Sequence, residues 1–147
     1  MLHLIGDGPI RQELEKLAVD CNIYEETIFY GYMLHPEEFM PFFDVFVLPS
    51  RAESFGSVFA EAALCCLALV GTNEGGIAEQ IEHGKNGMLV PVGDPMALAS
   101  TLERMVTDAA YRNLLARNAW EHAKNNYSLN RVMAQLKAVY ESHKRRS

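Results

Sequence analysis

Two glutamates, Glu53 and Glu61, flank a short glycine-containing loop, and their types and spacing could do chemistry. The stretch reads Pro49-Ser50-Arg51-Ala52-Glu53-Ser54-Phe55-Gly56-Ser57-Val58-Phe59-Ala60-Glu61-Ala62. It runs from a strand end, through the loop, into a helix. The loop Ser54–Ser57 can aim several unpaired N–H groups at an anion, and the positive end of the helix dipole adds to their pull. Gly56 allows a phosphate to come close to the backbone. Glu61, about one turn into the helix, can accept two hydrogen bonds from a ribose cis-diol. Glu53, ahead of the helix, can reach hydroxyls on whatever the phosphate carries. Each part has an ordinary explanation when taken alone, since a glutamate near a helix start commonly complements the dipole or caps it. Their combination points to a phosphorylated, hydroxyl-bearing ligand.

Such a loop needs a sheet behind it, because ligands of open α/β sheets bind outside the carboxyl ends of the strands. The sequence supplies one. Residues 2–5 read as a strand, followed by the turn Gly6-Asp7-Gly8-Pro9 and a helix over 10–19 in which Leu14, Leu17 and Ala18 share a face. Residues 27–30 read as a second strand, and 36–43 as a short helix opened by Pro36. Strands follow at 45–48, 67–70 and 87–90, with a helix over 57–65 between the first two of these and the Gly75-Gly76 turn closing 67–70. The strands do not alternate polar and apolar residues, as expected when both faces of a parallel sheet are covered. The last third is helical: Pro95 opens one helix, a second spans about 110–125, and Ser128 heads a third with Val132, Leu136, Val139 and Tyr140 at helical spacing. The fold class expected is α/β: a Rossmann-like parallel sheet of about five strands flanked by helices, with a helical tail over about 110–147.

Composition narrows the function classes. A chain of 147 residues, 49% hydrophobic and 22% charged, can build a core and suits one domain. A formal net charge of −6 argues against nucleic acid as a partner, which would call for a basic stripe. No apolar run approaches the ~20 residues of a membrane span, so a cytoplasmic protein is expected. Cys21, Cys65 and Cys66 lack paired metal-ligand spacing and read as buried reduced thiols, with no metal expected. The basic run Lys144-Arg145-Arg146 reads as a solvated tail, with peripheral contact to an acidic membrane face as an alternative.

The segment around Glu53 resembles the E-x7-E signature of family 4 glycosyltransferases, retaining enzymes of the GT-B fold (glycosyl transferases group 1). Pro49-Ser50, Glu53-Ser54-Phe55-Gly56 and Glu61-Ala62 carry the likeness. Further marks follow in order: Gly6-Asp7-Gly8-Pro9, Phe29-Tyr30-Gly31-Tyr32-Met33, Thr72 with Gly75-Gly76 and Glu79, then Gly84, Gly87, Leu89-Val90-Pro91 and Gly93-Asp94-Pro95. The resemblance covers nearly the whole chain and implies the nucleotide-sugar-binding, C-terminal domain of such an enzyme. It implies that Glu61 binds the ribose hydroxyls of the donor and that Glu53 acts in catalysis by orienting the transferred sugar. It implies that backbone N–H groups of Phe55, Gly56, Ser57 and Val58 hold the diphosphate, that Tyr32 and Met33 frame the base, and that Gly6 and Gly8 leave room for the nucleotide. No cofactor or metal is implied, and the sequence has no Asp-x-Asp motif. Ser54, Cys66 and Ala68 depart from the usual Gly, Gly and Pro of the family.

The family's two-domain machine implies a partner for this chain, the N-terminal acceptor domain. Its first C-domain strand and helix, with the Arg and Lys that neutralise the donor diphosphate, are expected upstream of Leu2, so 1–147 reads as one partial domain, inactive by itself. The absent strand would leave residues 2–5 and 45–48 flanking a gap, closed by the two strands coming together, by another chain or by a dimer. Two other function classes stay open. Gly6-Asp7-Gly8-Pro9-Ile10-Arg11 partly matches the dinucleotide motif G-x-G-x-x-G of oxidoreductases, and a non-catalytic binding or assembly module would keep the fold without turnover.

Overall fold

The computed structural model describes residues 1–144, with side chains through residue 141. The chain divides into two compact units, residues 1–39 and the part from Met40 onward.

The first unit is a strand–helix–strand. Strand β1 (Leu2–Ile5) and strand β2 (Thr27–Gly31) run parallel, with Leu2 opposite Thr27 and Leu4 opposite Phe29. Helix α1 (Arg11–Asp20) connects them. Arg11 ties the connection together: it donates to the Phe29 carbonyl at 3.3 Å and pairs with Glu15 at 2.9 Å and Asp7 at 3.6 Å. Gly31 makes room for that guanidinium, since a Cβ there would lie 2.9 Å from Arg11 Nη1. Ala18 is buried, but Leu14 and Leu17 on the same face remain exposed. Where the sequence suggests one helix over 36–43, there are two short 3-10 turns, Pro36–Glu38 in this unit and Met40–Phe42 in the second.

The second unit holds the main core. Strand β4 (Ala68–Thr72) lies between strand β3 (Val45–Leu48) and strand β5 (Met88–Val90), all parallel, with Val45 opposite Ala68 and Val70 opposite Met88. Every residue of β4 is buried, which explains its unbroken apolar run. Its side chains alternate between two clusters. Leu69 meets Phe59, Ala62 and Ala63 of helix α2 (Ser57–Leu64) and Ile77 of helix α3 (Gly75–Gln80). Ala68 and Val70 meet Met105 of helix α4 (Pro95–Thr107) and Leu115 of helix α5 (Ala109–Asn126). Asp94 and Asp108 cap α4 and α5, accepting from the N–H groups of Ala97 and Tyr111 at 2.9 Å each. Helix α6 (Leu129–Lys144) follows, with Val132, Leu136, Val139 and Tyr140 exposed. The side chains of the basic run 144–146 lie outside the described residues.

The α/β class, parallel pairing, flanking helices and helical C-terminal stretch match expectation. Among the described residues the strands form a two-stranded sheet, β1-β2, in the first unit and a three-stranded sheet, β3-β4-β5, in the second. The cysteines are not buried: Cys21 and Cys66 are exposed and Cys65 half-buried. The reason is local. Cys21 terminates α1 and Cys66 terminates α2 at φ 61°, a left-handed position outside the core. Phe42 is 82% exposed in the 3-10 turn Met40–Phe42. Among the described residues no helix is long and apolar enough to cross a membrane.

Candidate functional site

The segment Ser50–Gly56 leaves β3 and is held from beneath by β4 and α3. Thr72 donates its hydroxyl to the Ser50 carbonyl at 2.6 Å. The Gly76 N–H donates to the Glu53 carbonyl at 3.1 Å. Gln80 Nε2 donates to the carbonyls of Phe55 and, at 3.3 Å, Gly56. Packing is equally close. A Cβ on Gly76 would lie 2.6 Å from Phe55 Cα and 2.8 Å from the Ser54 carbonyl carbon, and one on Gly75 would strike the Glu53 carbonyl oxygen. Two glycines therefore open α3 because backbone meets backbone there. The sequence suggests only a turn at this point; the structure makes it a helix start seated against the loop. Glu79 is exposed on α3.

With its carbonyls turned inward, the segment presents N–H groups outward. Those of Phe55, Gly56, Ser57 and Val58 make no hydrogen bond among the described residues. A helix start always leaves such donors, and no side chain caps this one. Gly56 takes φ 71° and ψ 57°, a left-handed turn that swings the chain into α2. It also sits between two side chains: a Cβ there would lie 3.1 Å from Glu53 Cγ and 3.1 Å from the Phe59 ring. Glu53 is half-buried beside this turn, and Glu61 is exposed on α2. The arrangement can receive an anion on unpaired N–H groups at a helix start, with two carboxylates nearby to accept from hydroxyls.

Phe55 is stacked edge-on against Tyr127 at 5.9 Å, and Tyr127 in turn against His122 at 5.8 Å. Burial holds the Tyr127 phenol above its usual ionisation range, and the charge of Glu79 adds to the effect. His83 accepts from the N–H of Leu89, in the middle of β5, at 3.0 Å through Nδ1. A groove of about 510 Å³ lies on α6 between Met133, Leu136 and Tyr140. Its one cation, Lys137, pairs with Glu141 at 3.9 Å, whereas the free backbone donors sit at the start of α2. Among the described residues no three His, Cys, Asp or Glu side chains are grouped to hold a metal ion.

Gly6, Gly8, Tyr32 and Met33 belong to the first unit, at the carboxyl ends of β1 and β2. The Gly6 N–H donates to the Gly31 carbonyl at 2.8 Å, which places the turn after β1 beside the residues after β2. Space around Gly8 is open, with no atom within 4 Å of where its Cβ would be. Tyr32 is 77% exposed and Met33 half-buried. The structure thus groups Glu53, Phe55–Val58 and Glu61 in one loop and helix, and groups Gly6, Gly8, Tyr32 and Met33 at one sheet edge. Gln80 escapes a sequence reading because its neighbours Ile77 and Ile81 make this face of α3 look like ordinary core; the signal was an amide at a buried helical position.

A parallel α/β architecture with an anion-receptive loop between strand and helix defines the class, and comparison with known proteins names the family. The profile of the family described as glycosyl transferases group 1 matches residues 1–122, and the chain belongs to that family. N-acetyl-alpha-D-glucosaminyl L-malate synthase of Bacillus anthracis is 30% identical over 139 residues, which cover 95% of this chain and 36% of that protein. Alpha-D-kanosaminyltransferase of Streptomyces kanamyceticus is 33% identical over 141 residues, covering 93% of this chain and 36% of its own length. Among solved structures, Anabaena HepE in complex with UDP and glucose superposes with a TM-score of 0.87 at 26% identity, covering 95% of this chain and 40% of that one. The chain spans well under half the length of these relatives.

Proposed function

We propose that this chain is the donor-binding domain of a retaining glycosyltransferase that moves a glycosyl group from a nucleoside diphosphate sugar to an acceptor. The N–H groups of Phe55, Gly56, Ser57 and Val58 receive the diphosphate. Glu61 accepts from the ribose hydroxyls, and Glu53 accepts from hydroxyls of the sugar and steadies it as the bond to phosphate breaks. Tyr32 and Met33 frame the base, with Gly6 and Gly8 keeping the approach open. The reaction needs no metal in this reading, and a second domain of the full-length protein carries the acceptor. One observation carries the proposal: four consecutive backbone N–H groups at the start of α2 make no hydrogen bond among the described residues. The likeness to a structure solved with UDP and glucose supports it.

Calorimetry on this chain tests the reading. Uridine diphosphate is expected to bind and NAD not. Glu61→Ala should weaken uridine diphosphate about tenfold or more, the worth of hydrogen bonds to a charged acceptor. Binding of NAD in preference to every nucleoside diphosphate tried would overturn the proposal in favour of a dinucleotide site.

A further inference from the structure

Gln80 is an anomaly within the second unit. It is 4% exposed and lies on α3 between Ile77 and Ile81, both core residues. Its Oε1 is buried and has no hydrogen-bond partner among the described residues. A buried unpaired amide oxygen is destabilising, and an apolar side chain of the same length would avoid that cost. What the amide gains lies at its other end, where Nε2 donates to the carbonyls of Phe55 and Gly56.

Those two carbonyls are not arbitrary acceptors. In a planar trans peptide the C=O and the following N–H point in opposite directions. Holding the Phe55 carbonyl inward therefore aims the Gly56 N–H outward, and holding the Gly56 carbonyl inward does the same for Ser57. The second carbonyl has other support, because it also accepts from the Phe59 N–H at 2.9 Å within the first turn of α2. The first has none among the described residues besides Gln80. The Phe55–Gly56 peptide is also the one most free to turn over, since glycine accepts either sign of φ. Turned over, it would present a carbonyl oxygen to an incoming anion in place of a donor.

The geometry points to Gln80 as the positioning residue that keeps the phosphate-receiving N–H groups of Gly56 and Ser57 facing outward. It does not touch the ligand; it acts through the peptide planes of the loop. This inference rests on the donor-binding reading and adds a residue that determines the affinity of the site for a diphosphate.

Backbone amide resonances of this chain, followed during titration with inorganic pyrophosphate, test it. In the wild type the amide protons of Gly56 and Ser57 shift as pyrophosphate binds. Gln80→Met, which keeps length and removes both donors, weakens pyrophosphate binding about tenfold. The response of Gly56 is lost first, while amides at the α4 and α5 caps, Ala97 and Tyr111, keep their positions. Gln80→Glu, with an acceptor in place of the donor, gives the same loss at neutral pH. In the wild type alone, the side-chain amide protons of Gln80 exchange more slowly with pyrophosphate bound. A shift in unfolding temperature with unchanged affinity and unchanged Gly56 response would reduce Gln80 to a structural residue and overturn the inference. So would Gln80 amide exchange that ignores pyrophosphate, even if neither variant folds. If the wild-type amides at 55–58 do not respond at all, the donor-binding reading itself fails and takes this inference with it.

Discussion

Replacing Gly76 by alanine should loosen the whole anion-receiving loop, because the first turn of α3 meets it backbone to backbone. The added Cβ would lie 2.6 Å from Phe55 Cα and 2.8 Å from the Ser54 carbonyl carbon, against an ordinary contact distance of 3.4–4 Å. Neither is the tip of a flexible side chain, so the loop or α3 must move by several tenths of an ångström. Forcing an extra methyl into a packed site costs about 1–3 kcal/mol. Alanine's better helix propensity returns up to about 1 kcal/mol. The net loss is then about 1–2 kcal/mol, which lowers the urea midpoint by about 0.5–1 M for a typical slope. Because the displaced atoms belong to the loop, pyrophosphate affinity should fall as well. Urea unfolding followed by circular dichroism reads the first effect and calorimetry the second. Gly8→Ala is the control: its Cβ meets nothing within 4 Å, and stability should stay within about 0.5 kcal/mol of the wild type. A Gly76→Ala chain that unfolds at the wild-type urea concentration and binds pyrophosphate equally well would refute the idea that α3 sets the loop.

Three further outcomes follow from the same structure. Cys66→Gly should stabilise the chain by about 0.5–1 kcal/mol, read from the urea midpoint, since a left-handed non-glycine costs about 1–2 kcal/mol and glycine's extra unfolded-state entropy returns part of it. Asp94→Ala should cost about 1 kcal/mol through loss of the bond to the Ala97 N–H, and Asp94→Asn should recover most of it. Tyr127 has its ionisation raised by burial and by Glu79, so its stability contribution is complete below the ordinary tyrosine range near pH 10 and is lost as pH rises through the higher folded value. Ultraviolet difference titration should show Tyr127 among the last tyrosines to ionise, with Glu79→Gln moving it downward and Tyr127→Phe flattening the alkaline fall in unfolding temperature.

Much of this was legible in the residues because local rules and global fold agree. The apolar run of β4 is buried on both faces, as its composition demands, and Asp94-Pro95 starts a helix in the ordinary way. The loop between Glu53 and Glu61 could be placed because a strand end, a glycine and a helix start follow one another without a gap. What could not be read depended on distant contacts. Gly75-Gly76 looks like a turn until Ser54 and Phe55 are set against it, and only then does the absence of Cβ become a packing requirement. Gln80 reads as an ordinary residue of an apolar helix face until the carbonyls of Phe55 and Gly56 are found beside it, 25 and 24 positions earlier. Cysteine type suggests burial, yet Cys66 was fixed by the need to end α2, where the Ala63 carbonyl accepts from its N–H at 2.9 Å. Tyr32 is exposed for a similar reason, lying just past the end of β2.

In the proposed function the N–H groups at the start of α2, together with Glu61, receive a nucleoside diphosphate. A crystal structure of this chain with uridine diphosphate tests it most directly. Phosphate oxygens are expected within about 2.7–3.2 Å of at least two of the N–H groups of Phe55, Gly56, Ser57 and Val58, with the ribose hydroxyls on the Glu61 carboxylate. A diphosphate bound elsewhere, with those N–H groups facing solvent and Glu61 free of ribose, would contradict it.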